Sequence, residues 1–416
     1  MFPPRIPSPL IALASAGLLL AHSTLHAQSP PPAATPAKPK VKDEAASAAK
    51  SKKNEEDRSA YFKNPKVSTI DISIEPAPGL VKPLAPLMAE PKKYVKATLT
   101  EGDTTYPDVG IHLRGGLGSF QPVTAKSGFT LNMNKFDGKK SFHGMDKWHL
   151  SNSAQDGSYL SLLVCNEMLR AAGVPAPRIT HAIVTLNGQP KGFYCVQEGY
   201  DSDYFNLHFK TADGNFYDGG FLKDIDQNIE LIRTKADVKD WADLKAVTAA
   251  AREPDPVKRF ERLEKLLDMD IFISGFCIQA ILGDWDGYVF NRNNYRVYHD
   301  PKRDKVILLP SGLDQEFGNA EQGALVPPMK GLLATAVFNT PEGKARYLKR
   351  MDEINRTIMN TDPWFKALDL LQARLQPELA KVDPKAAADY PKQVDRIRDF
   401  FRIRQKSIER QLKAAK

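Results

Sequence analysis

Residues Met269–Gly283, "MDIFISGFCIQAILG", are apolar on nearly every helical face. A helix without a polar side can lie only inside a core, so the rest of the chain has to wrap around it. At 416 residues there is ample material to do so, as one large domain or two ordinary ones. The run that follows, "GDWDGYVFNRNNYRVYHD" (Gly283–Asp300), packs carboxylates, amides and aromatics together. So many side-chain oxygens at the end of a buried helix are either caps for the helix and a turn or the start of a site.

The chain ahead of this helix reads as β-rich. "VSTIDISIEP" alternates like an edge strand, and "YVKATLTEGDTTYPDVGIHLRGG" gives two alternating runs split at Gly102-Asp103. "SGFTLNMNKFDGKKSFHG" continues the pattern, with Asp137-Gly138 as a turn. "SYLSLLVCNEMLRAAG" is helical and stops at Gly173 before Pro175 and Pro177. "ITHAIVTLNGQPKGFYCVQEGY" reads as two strands about the Asn187-Gly188 turn. Beyond the buried helix, "NYRVYHDPKRDKVILLP" is a hairpin, and from about Gly343 onward amphipathic helices break at Pro363, Pro377, Pro384 and Pro391.

That hairpin has a chemical consequence. It sets the start of its first strand beside the end of its second, so Asn294 and Asp314 should meet, near Asp284 and Asp286 at the helix end. Converging hard oxygens suit Mg²⁺ or Mn²⁺. The Asp286-to-Asn291 spacing equals the Asp-to-Asn spacing of the protein-kinase catalytic loop, although the pattern alone is weakly specific. A kinase-like site also needs cations on the β-rich side. Lys126 precedes a strand and could reach phosphates, and Arg114 with Gly115, Gly116 and Gly118 could form a loop over them. Glu198 follows the strand "FYCVQ", where such a fold would join its lobes and contact adenine. A surface lysine, an ordinary glycine turn and a solvated glutamate are the plainer alternatives.

"GIHLRGG", "LSNSAQDGSYLS", "AAGVPAPR", "VTLNGQPKGFYCVQEGYD", "GNFYDGG", "GDWDGYVFNRNNYRVYHDP" and "GLDQEFG" together resemble the spore-coat protein H (CotH) kinase family, in the family's order from about Val109 to Gly318. The resemblance implies an α+β, atypical protein-kinase-like two-lobed fold, with a β-rich N-lobe carrying one long helix and a mostly helical C-lobe. It also implies a secreted kinase that uses ATP and Mg²⁺ or Mn²⁺ to phosphorylate protein Ser or Thr. Asp286 matches the family's catalytic aspartate and Asp314 its metal aspartate, with Asn291 and Asn294 in its amide-rich stretch. Lys126 and Glu198 match its small-lobe lysine and acidic position. Two departures stand out: Gly312 where members often carry a second carboxylate, and Leu162 where many carry an acid on the long helix. Glu167 on that helix is the substitute partner for Lys126. Either departure could leave a weak or inactive nucleotide-binding surface protein, the competing reading. Transfer to a glycan or small molecule is a third.

The expected domains are a signal peptide (1–27), a disordered Pro/Ala/Lys-rich linker (28–58) and a kinase-like domain (59–416), the last divided at 200 and 342. Arg5 and the short apolar run Leu10–Ala21 suggest Sec-type export to a secreted, periplasmic or surface location. The linker composition cannot bury enough apolar surface to offset chain entropy. The net charge of +8 reads as a solvated basic surface, with no nucleic acid expected. The three cysteines form no disulfide framework and no zinc motif. A monomer without a membrane span after signal cleavage is expected, its partners being ATP and a protein acceptor.

Overall fold

The computed structural model describes residues 41–75, 84–138, 140–235, 239–318 and 323–415. The expected signal and the first part of the expected linker lie outside these residues. The chain divides after Ala46, and the description concerns Ser47–Lys416.

Helix α1 (Val41–Lys63) precedes β1 (Ser68–Ser73), α2 (Ala85–Ala89), β2 (Val95–Glu101), β3 (Thr104–Arg114), β4 (Gly128–Asn132) and β5 (Lys147–Ser151). Then come α3 (Ser161–Ala171), β6 (Ile179–Leu186) and β7 (Gln189–Glu198). The strands close into a barrel in the order β1-β2-β3-β4-β5-β7-β6. Alternation decides what goes inside: Ile70, Leu99, Ile111, Phe129, Leu131, Trp148 and Val196 fill the interior. Strand β1 is not an edge. It pairs antiparallel with β2 and parallel with β6, and this second pairing closes the barrel. Asp137-Gly138 does not turn one strand directly into the next either; β4 pairs with β5, after a longer connection. The turn at Asn187-Gly188 forms as expected, both residues having positive φ.

The remainder comprises α4 (Ser202–Phe209), β8 (Phe216–Asp218), β9 (Glu230–Arg233), α5 (Ala242–Ala251), α6 (Pro256–Leu266) and α7 (Met269–Leu282). It continues with α8 (Tyr288–Asn291), β10 (Tyr295–Asp300), β11 (Lys305–Pro310), α9 (Leu332–Phe338), α10 (Pro341–Thr357), α11 (Thr361–Ala380) and α12 (Pro384–Ala415). Strands β11-β10-β8-β9 make a second sheet. Helix α7 is buried along its length, as its composition demands. Helix α3 lies between barrel strands in sequence, yet its apolar face joins the α7, α10 and α12 core, as do Ile179, Phe193 and Cys195 on the outside of the barrel.

Two further expectations fail. Pro377 and Pro391 lie inside α11 and α12 rather than ending them, and Pro363 sits in the first turn of α11, where its missing N–H costs nothing. Residues 41–58, read as linker, belong to α1. From Ser51 on, that helix is held by tertiary polar contacts that composition does not reveal. Arg58 is fully buried, and it donates to Gly144 O (2.7 and 2.8 Å), to Asp201 (2.5 Å) and to Glu198 (3.3 Å). Among the described residues no helix is long and apolar enough to cross a membrane.

Candidate active site

Helix α7 starts on an Asp268 cap and ends at Gly283, whose φ of +71° places it in the left-handed region. The N–H groups of Gly283 and Asp284 both return to Gln279 O. This stop turns Asp284 inward. Its carboxyl is buried, and among the described residues its Oδ2 has no hydrogen-bond donor. A Cβ on Gly287 would collide with that oxygen, so the glycine of "DWDG" makes the space Asp284 occupies.

Asp286 is wrapped by amides. Its Oδ1 accepts from Asn291 Nδ2 (3.2 Å), and its Oδ2 accepts from Asn293 and Asn294 Nδ2 (3.0 Å each). The hairpin register Tyr295↔Pro310 then brings Ser311 N within 2.9 Å of Asn294 O, so the far strand returns beside the amide cluster. The expected meeting of the two chain segments is therefore present. Gly312 has φ +70°, and a Cβ there would lie 2.6 Å from Asn294 Cγ. A side chain at position 312 and the present placement of Asn294 exclude each other.

Three carboxyls here are held above their ordinary range. Asp284 is raised by burial first and then by Asp286, with Asp314 adding to it and Glu316 hydrogen-bonding against it. Glu316 is raised by burial and by Asp284. A hydrogen bond between two carboxyls requires one of them to keep its proton. Asp314 is raised by burial, with Arg114 opposing and Asp156 and Asp286 reinforcing. The donor set is hard oxygen, and a buried Asp284 Oδ2 without a hydrogen-bond donor among the described residues fits a divalent cation chemically. Among the described residues no three Asp, Glu, His or Cys side chains stand together at ligand spacing. A cation would thus depend on amide and water oxygens as well, a common arrangement for Mg²⁺.

A basic wall stands near these acids. Strand register puts His112, Thr130, His149 and Gln197 in one cross-strand row on the outside of the barrel, with Arg114 and Lys147 flanking it. Arg114 Nη1 donates to Gln197 Oε1 (2.9 Å), and Arg296 Nη1 on β10 donates to Asp218 Oδ1 (2.8 Å). Burial pushes Arg114 down to about 10, opposed by Asp314 and helped by Arg296. His149 is lowered well below its usual value by burial and then by Arg114, Lys147 and Arg296. Arg114, Lys147 and His149 are half-buried, so part of each side chain remains open to solvent.

Other candidate residues stand elsewhere. Lys126 Nζ donates to Tyr159 OH (2.9 Å) and lies over the Tyr159 and Tyr194 rings. Burial pushes it down to about 8. Asn152 donates to both Ser119 O (3.0 Å) and Lys126 O (2.9 Å), pinning the far end of the glycine loop. Glu167 does not substitute for the missing acid at Leu162. It points to solvent from α3 and pairs with Arg170 one turn on, whereas Leu162 is buried. Glu198 is buried between two arginines, Arg178 (2.6 Å) and Arg58 (3.3 Å), so its carboxylate is engaged in an ion-pair hub rather than open to a base. Asn293, Glu316, Lys147, His149 and Arg296 were not singled out in sequence. Neither was Lys330, whose Nζ donates to Asn291 Oδ1 (3.1 Å). A third amide beside Asp286 and the acid two residues after Asp314 were visible signals.

A family model described as CotH kinase protein matches residues 111–408. That span is most of the chain, which therefore belongs to the CotH kinase family. No curated protein matches the chain.

Proposed function

We propose that this CotH-family chain is an exported, ATP- and divalent-metal-dependent protein Ser/Thr kinase. The observation that carries the reading is Asp286, held by three asparagine amides where α7 ends beside the β10–β11 hairpin, in a chain that also presents Arg114 and Lys147 on the outside of the barrel. Charges of both signs in one site suit a polyphosphate and its counter-cation. In this reading the barrel holds the nucleotide and the helical part carries the chemistry, as two lobes.

Asp286 is the proton acceptor. Three amide donors orient its carboxylate, and Oδ1, which accepts only one of those bonds, keeps a lone pair for the acceptor hydroxyl. Asp314, with the amide oxygen of Asn294 and, once Lys330 Nζ gives it up, that of Asn291, would hold Mg²⁺ or Mn²⁺, and Asp284 supports them from behind. The cation when bound neutralises charge on the phosphates. Arg114, Lys147 and Arg296 hold the phosphates, and Lys126, with two donors left after Tyr159, reaches them from the base of the glycine loop. Glu198 fixes the connector between β7 and α4.

A second reading, nucleotide binding without transfer, is favoured by Gly312 and by Leu162, because no acid from α3 pairs with Lys126. Asp286→Asn and Asp314→Asn decide between them. With labelled ATP and a generic acceptor, Asp286→Asn should lower kcat by about 10²–10⁴ while ATP affinity holds. Asp314→Asn should also weaken metal-dependent ATP binding in calorimetry. Wild-type protein that binds ATP with metal but transfers nothing to acceptor or water would establish the second reading.

A further inference from the structure

The acidic site is carried on two separate segments, the run after α7 and the run after β11, and the C-terminal helix meets both, through Arg404 on the last turn of α7 and on Gly323 and through Phe400 on Phe317. Arg404 on α12 is fully buried. Its Nε donates to Ile281 O (2.9 Å) and its Nη2 to Ala280 O (2.7 Å), the last carbonyls of α7 before the Gly283 stop. Its Nη1 donates to Gly323 O, downstream of Asp314 and Glu316. A Cβ at Gly323 would come 2.6 Å from Nη1, so the chain there is shaped to the guanidinium. Two turns along α12, Gln411 Nε2 also donates to Gly323 O (2.9 Å), while its Oε1 accepts from Leu325 N (2.6 Å). One turn before Arg404, Phe400 meets the Phe317 ring edge-on at 5.1 Å.

The described partners of this buried cation are carbonyls. A guanidinium satisfied by free helix-end carbonyls also complements the negative end of the helix dipole. Its planar fork lets one residue reach two segments at once, which an ammonium cannot do.

We propose that Arg404 is a positioning residue that fixes the spacing between the Asp284–Asp286 arm and the Asp314–Glu316 arm. The proposal rests on these acids being the reacting site, and its test is kept separable from that reading. Arg404→Met and Arg404→Lys are compared with Val394→Ala, a change at an equally buried α12 residue ten positions earlier. Amide hydrogen exchange should quicken in Gly283–Asn294 and in the 314–318 and 323–325 segments together for Arg404→Met, and less for Arg404→Lys. Val394→Ala should leave those segments slow even where its melt falls as far. Well below the melts, Arg404→Met should lower kcat by about tenfold or more with nucleotide KM within about threefold. Faster exchange in α12 alone or in one arm only, or a kcat loss that follows the melt equally in Arg404→Met and Val394→Ala, overturns the proposal. Should Arg404→Met fail to fold, the Lys variant carries the same comparison. Wild-type protein that transfers no phosphate defeats the kinase reading, and the exchange pattern still decides for or against Arg404.

Discussion

At the scale of single residues, Gly312 and Asp284 show why an acid count misjudges this site. The family resemblance leads one to expect a second carboxylate where Gly312 stands, and by that count the chain is one ligand short. Yet its φ of +70° and the Asn294 side chain 2.6 Å from its would-be Cβ mean that an acid there would not simply add a ligand. Gly312→Asp should therefore destabilise by about 1–3 kcal/mol and lower activity. Gly312→Asp combined with Asn294→Gly should recover much of the melt, a non-additivity that thermal denaturation measures. Asp284 and Glu316 lead to a pH effect. Both keep their protons to higher pH folded than unfolded. The folded chain thus binds more protons between the ordinary carboxylate range and the raised values, and stability falls as pH rises through that window. Asp284→Asn should flatten the slope, seen as a smaller difference between melts at acid and neutral pH. The approach of Asp286 to Asn294, and of the chain after β11 to Asn294, was legible in sequence because a hairpin fixes its own ends. Lys147, His149 and Arg296 were not, because they stand on strands of two different sheets, placed by partners that sequence alone does not name.

Elements were legible where local pattern and tertiary context agree. Helix α7, the β10–β11 hairpin and the Asn187-Gly188 turn each follow from periodicity or turn chemistry. Helix α1 does not. A run such as "KSKKNEEDRS" has no apolar face, and what holds it is a polar seam: Ser51 and Asn54 on Asp203, Glu55 on Arg178, and Arg58 on Asp201 and Glu198. Breaking a buried pair from one side leaves the other charge stranded, which costs about 3–5 kcal/mol. Arg58→Met should accordingly lower the urea midpoint sharply. Asp201 is already raised by burial, with Arg58 opposing, so without Arg58 its raise should grow. The variant should then recover part of its stability as pH falls and that carboxyl takes up a proton. An unchanged midpoint at neutral pH would mean that the seam adds nothing net.

On the scale of the whole molecule, the family match begins at Ile111, within β3, while the barrel needs strands that precede it. Strand β1 supplies the parallel pairing to β6 that closes the ring, and β2 covers the free side of β3. Without them β3 and β6 become bare edges, and Ile111, Leu131 and Val184 lose one wall of their core. The basic wall suffers too, since His112 and Arg114 lie on β3 and hold their places through the strand register. A chain shortened to begin at Ile111 should therefore lose cooperative unfolding and nucleotide binding alike. A chain beginning at Ser47 keeps the barrel and the described contacts of α1, and it should melt like the full-length protein. One beginning at Asn64 keeps the barrel but loses the Arg58 seam, and it should fall between them, still cooperative but with a lower midpoint. Circular dichroism melts of the three, read beside metal-dependent ATP titrations, order them. If the chain from Ile111 melts cooperatively at the full-length midpoint, the ring is not needed to build the site.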